Sequence, residues 1–236
     1  MTKAVILAAG RGTRMQGLTA DLPKPMLTAG GKPILERQLD RLVEAGYSKA
    51  LIITGYRAET IEDYFRGYRL PLHFVRQAEL TGTATAALLA RPFVGTDDFL
   101  LTYGDILTGW LAYREILDRL ARNPQVEAML AVKDVDDPFQ GAAVYAGADF
   151  RVTRIVEKPP RGQSTTRWNS AGVYAFRPSI FDELQRAPKS PRGEYELTSA
   201  VAQLLESGKR LDLFPIEGQW RDIGRPEDLE AVRDLH

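Results

Sequence analysis

The stretch Ala4-Val-Ile-Leu-Ala-Ala-Gly10-Arg11-Gly12-Thr13-Arg14, followed by Leu22-Pro23-Lys24-Pro25-Met26, decides how the rest of the chain reads. The apolar run Ala4–Ala9 passes straight into small residues, which predicts a buried strand emptying into a loop with unshielded backbone N–H groups. Glycines let such a loop approach a polyphosphate closely, and Arg11, Arg14 and Lys24 add positive charge. The expected ligand is a nucleoside triphosphate; the competing reading is a tight βα turn with surface arginines. Two familiar phosphate motifs fail here. A dinucleotide fingerprint needs a third glycine where Met15 stands, and a P-loop needs Gly-Lys-Ser/Thr where Leu18 and Thr19 follow Gly17.

Working outward, short β-rich runs alternate with helical patterns. The predicted strands are Ala4–Ala9, Ala50–Thr54, Leu72–Val75, Phe99–Thr102 and Ala128–Val132; the helices are Ile34–Glu44, Ala58–Phe65, Thr83–Leu89 and Leu111–Arg122. This alternation predicts a three-layer α/β fold with a mostly parallel, Rossmann-like sheet. After Asp134 the rhythm changes. Ala142–Ala146, Val152–Glu157 and Gly172–Phe176 are strand-like with turns between, so antiparallel strands are expected to form a substrate-binding part over the first half. Helices return at Ser179–Leu184, Leu197–Ser207 and Pro226–Leu235. With no repeat or linker, 1–236 reads as a single domain: 1–133 mainly binds nucleotide, and 134–236 mainly binds the second substrate and carries the C-terminal helices.

The chain has 236 residues, 31 basic and 31 acidic, which gives no reason to expect a nucleic-acid or acidic-membrane partner. Cysteine is absent, so disulfides and thiolate metal sites are excluded, and a reducing cytoplasmic setting is expected. The N-terminal apolar run is too short for a signal peptide or membrane span.

Several downstream segments carry chemistry. Asp105 ends Phe99-Leu-Leu-Thr-Tyr-Gly-Asp105 and should project beyond a strand's C-terminal edge, where open α/β sheets bind ligands. Asp222 sits in Trp220-Arg-Asp222-Ile-Gly224-Arg-Pro226-Glu-Asp228, before a helix opened by Pro226. Two acids converging from distant segments make a clamp suited to Mg²⁺, although each alone also reads as a turn or cap residue. Glu157-Lys158-Pro159 closes a strand and presents its lysine to a cleft or to bulk solvent. In Gln77-Ala-Glu-Leu-Thr-Gly82-Thr83, an amide able to read a base edge precedes a glycine at a helix entry. Arg192-Gly-Glu194-Tyr-Glu196-Leu-Thr198 reads as a helix start that lines the pocket at most. His73 and His236 carry no signal.

Taken together, Leu-Ala-Ala-Gly-x-Gly-Thr-Arg, Pro-Lys-Pro, Gly-Asp, Glu-Lys-Pro and Trp-x-Asp-x-Gly-x-Pro-Glu-Asp resemble the signature of the sugar-1-phosphate nucleotidylyltransferases. The resemblance runs from Ala4 to about Val232, and the pattern is similar to short thymidylyl- and uridylyltransferase-like members. It implies the nucleotide-diphospho-sugar transferase fold and the reaction of an NTP with a sugar 1-phosphate to give NDP-sugar and pyrophosphate. By the same resemblance, Leu7, Ala8, Ala9, Gly10, Gly12, Thr13, Arg14 and Lys24 hold the triphosphate. Arg14 neutralises the leaving pyrophosphate, Lys24 steadies the α-phosphate, and Lys158 holds the attacking phosphate. Asp105 and Asp222 carry Mg²⁺. Gln77 and Gly82 have the spacing of relatives that use dTTP or UTP, and Thr83, a candidate N-cap or first-turn residue of the next helix, is counted with them in the nucleotide site. Gly141, Glu157, Asn169, Gly172 and Val173 would line the sugar pocket.

Three alternatives remain at this point. The acceptor could instead be phosphocholine, inositol 1-phosphate or N-acetylmuramate 1-phosphate, or the base could come from GTP or CTP. The chain could also be a non-catalytic, nucleotide-sensing subunit, although it keeps both aspartates and all three basic residues. The expected partners are the two small-molecule substrates, and any homo-oligomer is expected to use faces of the core itself.

Overall fold

The computed structural model describes residues 1–15 and 17–231. Strand β1 (Lys3–Leu7) is buried at every position, with Val5 and Leu7 in one hydrophobic cluster and Ala4 and Ile6 in another. A strand buried on both faces has to lie inside a sheet covered by helices on each side. β2 (Thr28–Ala29) and β3 (Lys32–Pro33) form a small hairpin leading into α1 (Ile34–Glu44). Helix α1 buries Leu35, Leu39 and Leu42 completely against the sheet, worth roughly 1.5–3 kcal/mol for each side chain. The alternation continues through β4 (Lys49–Thr54), α2 (Ala58–Tyr64), β5 (Leu72–Arg76), α3 (Thr83–Leu88), the short α4 (Arg91–Val94) and β6 (Phe99–Tyr103). β7 (Ile106–Thr108), α5 (Trp110–Arg122) and β8 (Val126–Asp134) complete the first half.

The second half contributes β9 (Ala142–Ala146), β10 (Val152–Glu157) and β11 (Trp168–Phe176). After these come α6 (Ile180–Arg186), α7 (Leu197–Glu206), β12 (Arg210–Pro215), β13 (Trp220–Asp222) and α8 (Pro226–Glu230). Helices α1, α2 and α5 contribute to one cluster, and α3, α6 and α7 to the other. The fold is therefore α/β and three-layered.

One mixed, nine-stranded sheet runs through both halves. β5, β4, β1 and β6 are parallel neighbours in that order, and β12 runs parallel to β8. β11 is antiparallel to β6, β8 and β9, and β10 is antiparallel to β9. The antiparallel strands thus extend the same sheet rather than covering it, because Val173–Phe176 pair directly with Phe99–Thr102.

The sheet forks along β11. Tyr174–Phe176 pair with β6 on one side and β8 on the other, whereas Asn169 pairs with β8 and β9. Between these stretches the register shifts, and Gly172 takes a positive φ of 71°. A Cβ there would stand 2.8 Å from Tyr103 Cδ2 and 2.9 Å from Ile106 Cγ1, so glycine lets β11 change partners beside the end of β6.

Most of the predicted elements stand within a residue or two. β11 begins earlier, at Trp168, and α8 is described only to Glu230, so the rest of the helix expected over Pro226–Leu235 lies partly outside the described residues. The hairpin β2–β3 and strands β7, β12 and β13 were not expected. All of these strands but β12 are two or three residues long, too short for periodicity to register.

Candidate active site

The C-terminal ends of β1, β4, β5 and β6 share one edge, and backbone bonds carry the sheet a step beyond it. Ala8 N–H donates to Ile53 (2.8 Å), Gly104 N–H to Leu7 (2.9 Å), Tyr56 N–H to Ala9 (3.1 Å) and Gln77 N–H to Thr54 (2.8 Å). The start of the glycine loop is therefore held between Gly55 and Gly104. At 55 a Cβ would lie 2.7 Å from the Ala9 carbonyl oxygen, which restricts that position to glycine. Beyond Ala9, among the described residues, the N–H groups of Gly10, Arg11 and Gly12 donate to no protein acceptor. Gly12 has φ 64°, and a Cβ on it would meet Lys24 Cβ at 2.8 Å, so the loop and the Pro-Lys-Pro turn interlock. A cleft of about 1330 Å³ opens from this edge into the fork of the sheet.

Asp105 and Asp222 come together through a two-stranded antiparallel ribbon. β7 starts one residue after Asp105, β13 ends on Asp222, and Ile106 pairs with Asp222. Ile223 N–H donates to the Asp105 carbonyl at 3.0 Å, and Trp220 Nε1 donates to the Ala171 carbonyl at 2.8 Å, tying the ribbon to the bulge of β11. Lys24, almost wholly buried, donates to Asp105 Oδ2 at 2.5 Å. Asp222 faces the water of the cleft, but the surrounding protein weakens its hydration and the Asp105 charge opposes its own. Its carboxyl is raised to about 6 even though Lys24 and Arg14 pull the other way. Gly224 is the floor here: a Cβ on it would stand 3.8 Å from each of Arg14 Nη1, Asp222 Oδ1 and Asp228 Oδ2.

Among the described residues, no group of three or more His, Cys, Asp or Glu side chains forms a ready-made metal cage. Asp105 and Asp222 are instead two adjacent hard-oxygen donors whose mutual repulsion Lys24 and Arg14 offset only in part, a set that suits Mg²⁺ completed by phosphate oxygens and water.

At the fork, β10 ends on Glu157 and Lys158 adopts a left-handed φ of 42°, with its N–H bonded to the Gly141 carbonyl at 2.8 Å. Gly141 has no room for a side chain because a Cβ would overlap the Asn169 amide. Glu157 Oε2 accepts from Thr198 at 3.1 Å, and Arg192 lies 3.5 Å from its Oε1 and 3.1 Å from Glu196. Burial, and then the neighbouring Glu196, raise the Glu157 carboxyl above the usual glutamate range.

At the opposite end, Gln77 is buried and its Nε2 donates to the Gly82 carbonyl (3.1 Å) and Thr85 Oγ1 (3.0 Å). Its Oε1 has no protein donor among the described residues. Gly82, at φ 137°, is pressed against the backbone of Tyr195. Thr83 does not cap its own helix; its hydroxyl accepts from Leu197 N–H at 2.8 Å and so anchors the start of α7.

Leu7, Ala8, Ala9, Gly10, Gly12, Thr13, Arg14, Lys24, Gln77, Gly82, Thr83, Asp105, Gly141, Glu157, Lys158, Asn169, Gly172 and Asp222 all line this one cleft. Val173 does not: its side chain is fully buried in the core beneath β11, because strand alternation turns it away from the opening. Sequence reasoning missed Gly55, Tyr56, Gly104 and Trp220, and gave Arg192 and Glu196 too small a part. Tyr56 Oη donates to the Ala20 carbonyl at 2.6 Å, and the Arg11 guanidinium lies over its ring at 5.8 Å, steadying the far side of the loop. A glycine immediately after a predicted strand, as in Thr54-Gly55, was the available signal.

Residues 3–235 match the family model described as nucleotidyl transferase. The chain belongs to the nucleotidyl transferase family. It is 36% identical over 237 residues to the UTP–glucose-1-phosphate uridylyltransferase AglF of Haloferax volcanii, covering 98% of this chain and 94% of that one. It is 34% identical over 231 residues to the bifunctional protein GlmU of Methanococcus maripaludis, covering 98% of this chain and 53% of GlmU. The chain thus spans about half the length of those bifunctional relatives. Among solved structures, a UDP-glucose pyrophosphorylase complexed with UDP-glucose superposes with a TM-score of 0.89 at 21% identity, covering 99% and 97% of the two chains. A UDP-glucose pyrophosphorylase from Acinetobacter baumanii gives 0.84 at 25%, covering 97% and 90%. At these identities the two structures establish the shared fold of the nucleotidyl transferases. No helix among the described residues is long and apolar enough to cross a membrane.

Proposed function

We propose that this chain transfers a nucleotidyl group from an NTP, with dTTP or UTP favoured, to a sugar 1-phosphate, giving NDP-sugar and pyrophosphate. The observation that carries this reading is the β7–β13 ribbon, which sets Asp222 beside Asp105 with Lys24 and Arg14 at the mouth of a loop of free N–H groups. The likeness to a protein named as a uridylyltransferase over nearly the full length of both chains supports it.

In the reaction, an oxygen of the sugar phosphate attacks the α-phosphorus, a new P–O bond forms, and the bond to the β-phosphate oxygen breaks with release of pyrophosphate. Positioning and charge neutralisation carry such a transfer. The N–H groups of Gly10–Gly12 and Arg14 receive the β- and γ-phosphates, and Arg14 offsets the charge that develops on pyrophosphate. Lys24, fixed between Pro23 and Pro25, meets the α-phosphate. Lys158 holds the attacking phosphate, while Glu157, Asn169 and the backbone at Gly141 and Gly172 take the sugar hydroxyls. Asp105 and Asp222 would hold Mg²⁺, which would supply charge neutralisation for the phosphate chemistry.

The base preference follows from Gln77. Its two amide protons are spent on Gly82 and Thr85, leaving Oε1 as an acceptor. Uracil and thymine present an N–H donor on the edge where cytosine presents a bare nitrogen, so an acceptor there favours UTP and dTTP over CTP.

The test is pyrophosphate release across the common NTPs paired with hexose 1-phosphates, phosphocholine, inositol 1-phosphate and N-acetylmuramate 1-phosphate, with and without Mg²⁺. Release confined to UTP or dTTP with a hexose 1-phosphate is expected. Release with another acceptor alone would reassign the acceptor, and silence at every pairing would favour a nucleotide-sensing subunit.

A further inference from the structure

Beneath the Asp105 turn lies a glutamine that the packing of its helix does not require. Gln38 sits on α1 among Ile34, Leu35, Leu39 and Leu42, and has no exposed surface. A buried amide costs free energy unless its polar atoms are partnered. Gln38 Nε2 lies 2.9 Å from the Tyr103 carbonyl oxygen and 3.0 Å from that of Ile106. Thr102 Oγ1 and Tyr113 Oη stand further off, at 3.3 Å. An amide nitrogen has two protons, so the two shorter contacts take them. Both end on carbonyls that bracket Gly104-Asp105. Turned over, Oε1 would face the lone pairs of those carbonyls; in the orientation seen, it is buried without a partner. A leucine would match the rest of the helix face and avoid the orphaned oxygen, but it would take the amide donor from both the Tyr103 and Ile106 carbonyls.

We propose that Gln38 is a positioning residue for nucleotidyl transfer, its amide fork holding the Tyr103 and Ile106 carbonyls and so fixing where the Asp105 carboxylate enters the cleft. This rests on the functional reading above. Gln38 does not line the cleft and touches no reacting group. It acts through the turn, whose two ends it grips from below while the ribbon bond from Ile223 grips the Asp105 carbonyl. Tyr113, from α5, backs the same corner, with its hydroxyl 3.5 Å from the Ile106 carbonyl. Asp105 has to meet Lys24 on one side and stand beside Asp222 on the other, so a small rotation of the turn spoils both relations at once.

The test is Gln38→Met, close in length and shape but without hydrogen-bonding groups. Partners that orient metal-ligating side chains typically change activity or metal affinity by about 10–100-fold when lost. The expected result is a kcat lower by about 10-fold or more, with KM for both substrates within about twofold, the split expected when only the transition-state geometry suffers. Mn²⁺ affinity, read by water-proton relaxation on the protein alone, should weaken by a comparable factor. A packing role would lower the unfolding midpoint while leaving kcat per folded molecule and Mn²⁺ affinity unchanged, and that outcome overturns the proposal. Gln38→Glu, whose protonated acid offers one O–H in place of two N–H, should give a kcat between those of the wild type and Gln38→Met. If Gln38→Met does not fold, wild-type kcat and Mn²⁺ affinity in Gln38→Glu overturn the proposal equally. Lack of turnover in the wild type would count against the functional reading instead, and the Mn²⁺ comparison would then decide the clamp by itself.

Discussion

Lys158 is held in place by its backbone rather than by its side chain. Its φ of 42° is uncommon outside glycine, and its N–H bond to Gly141 fixes where the side chain leaves the strand end. Lys158→Ala is therefore expected to keep the fold and the KM for the nucleotide while raising KM for the sugar phosphate about 10–100-fold, the loss of roughly one charge-assisted contact. Steady-state kinetics with each substrate varied in turn checks this; a collapse of nucleotide affinity with an unchanged sugar-phosphate response contradicts the assigned role. Glu157, next door, carries a stability prediction. Its carboxyl is raised above the ordinary glutamate value of 4.5, so the folded state binds its proton more tightly than the unfolded chain does. The stability it contributes is fully present below pH 4.5 and is lost as pH rises through the higher folded value. Glu157→Gln, which can still meet Thr198, should therefore be more stable than the wild type at neutral pH, with the difference closing towards pH 4.5. Thermal unfolding across that range checks the sign. A variant less stable at pH 7 would show that the contacts of Glu157 with Arg192 and Thr198 outweigh its burial.

Helix α3 and the entry to α7 form one unit, and Gly82 is the joint. Its φ of 137° suits glycine alone, and a Cβ there would overlap the Tyr195 backbone, whose carbonyl accepts from Ala84 N–H at 2.8 Å. Gly82→Ala is expected to cost about 2–3 kcal/mol through strain and loss of this docking. Urea unfolding checks it, and a loss under about 0.5 kcal/mol would show that the 194–197 segment can move aside. The same joint marks where sequence reading stops. Gln77 with Gly82 reads, by resemblance, as a base-recognising pair, and Thr83 reads locally as a helix entry. Thr83 does open α3, but its hydroxyl also serves α7, more than a hundred residues away, and no local pattern encodes such a partner. The long strands and α1 were legible because burial imposes periods of 2 and 3.6 along the sequence. The β7–β13 ribbon was not, since three residues per strand leave no period, although it is what brings the two aspartates together.

At the scale of the molecule, the cleft exists because one sheet forks. β11 leaves β6, bends at Gly172 and takes up β9, so the parallel half delivers the glycine loop and Asp105 while the antiparallel half delivers Glu157, Lys158 and Asn169. The change of rhythm after Asp134 in the sequence reflects the antiparallel pairing of β9, β10 and β11. That the second half continues the sheet could not be read there, because pairing between β6 and β11 depends on tertiary fit rather than on either strand's own pattern. The central claim is that the two halves present two substrates to each other across Asp105 and Asp222. Pyrophosphate release from UTP or dTTP in the presence of Mg²⁺, before and after addition of glucose 1-phosphate, tests it most directly when wild type and Asp105→Ala are compared. Release is expected to begin only with the sugar phosphate, to match NDP-sugar formed mole for mole, and to fall by about 10²-fold or more in the folded variant. Release that ignores the sugar phosphate, or that survives intact in Asp105→Ala, would contradict the claim.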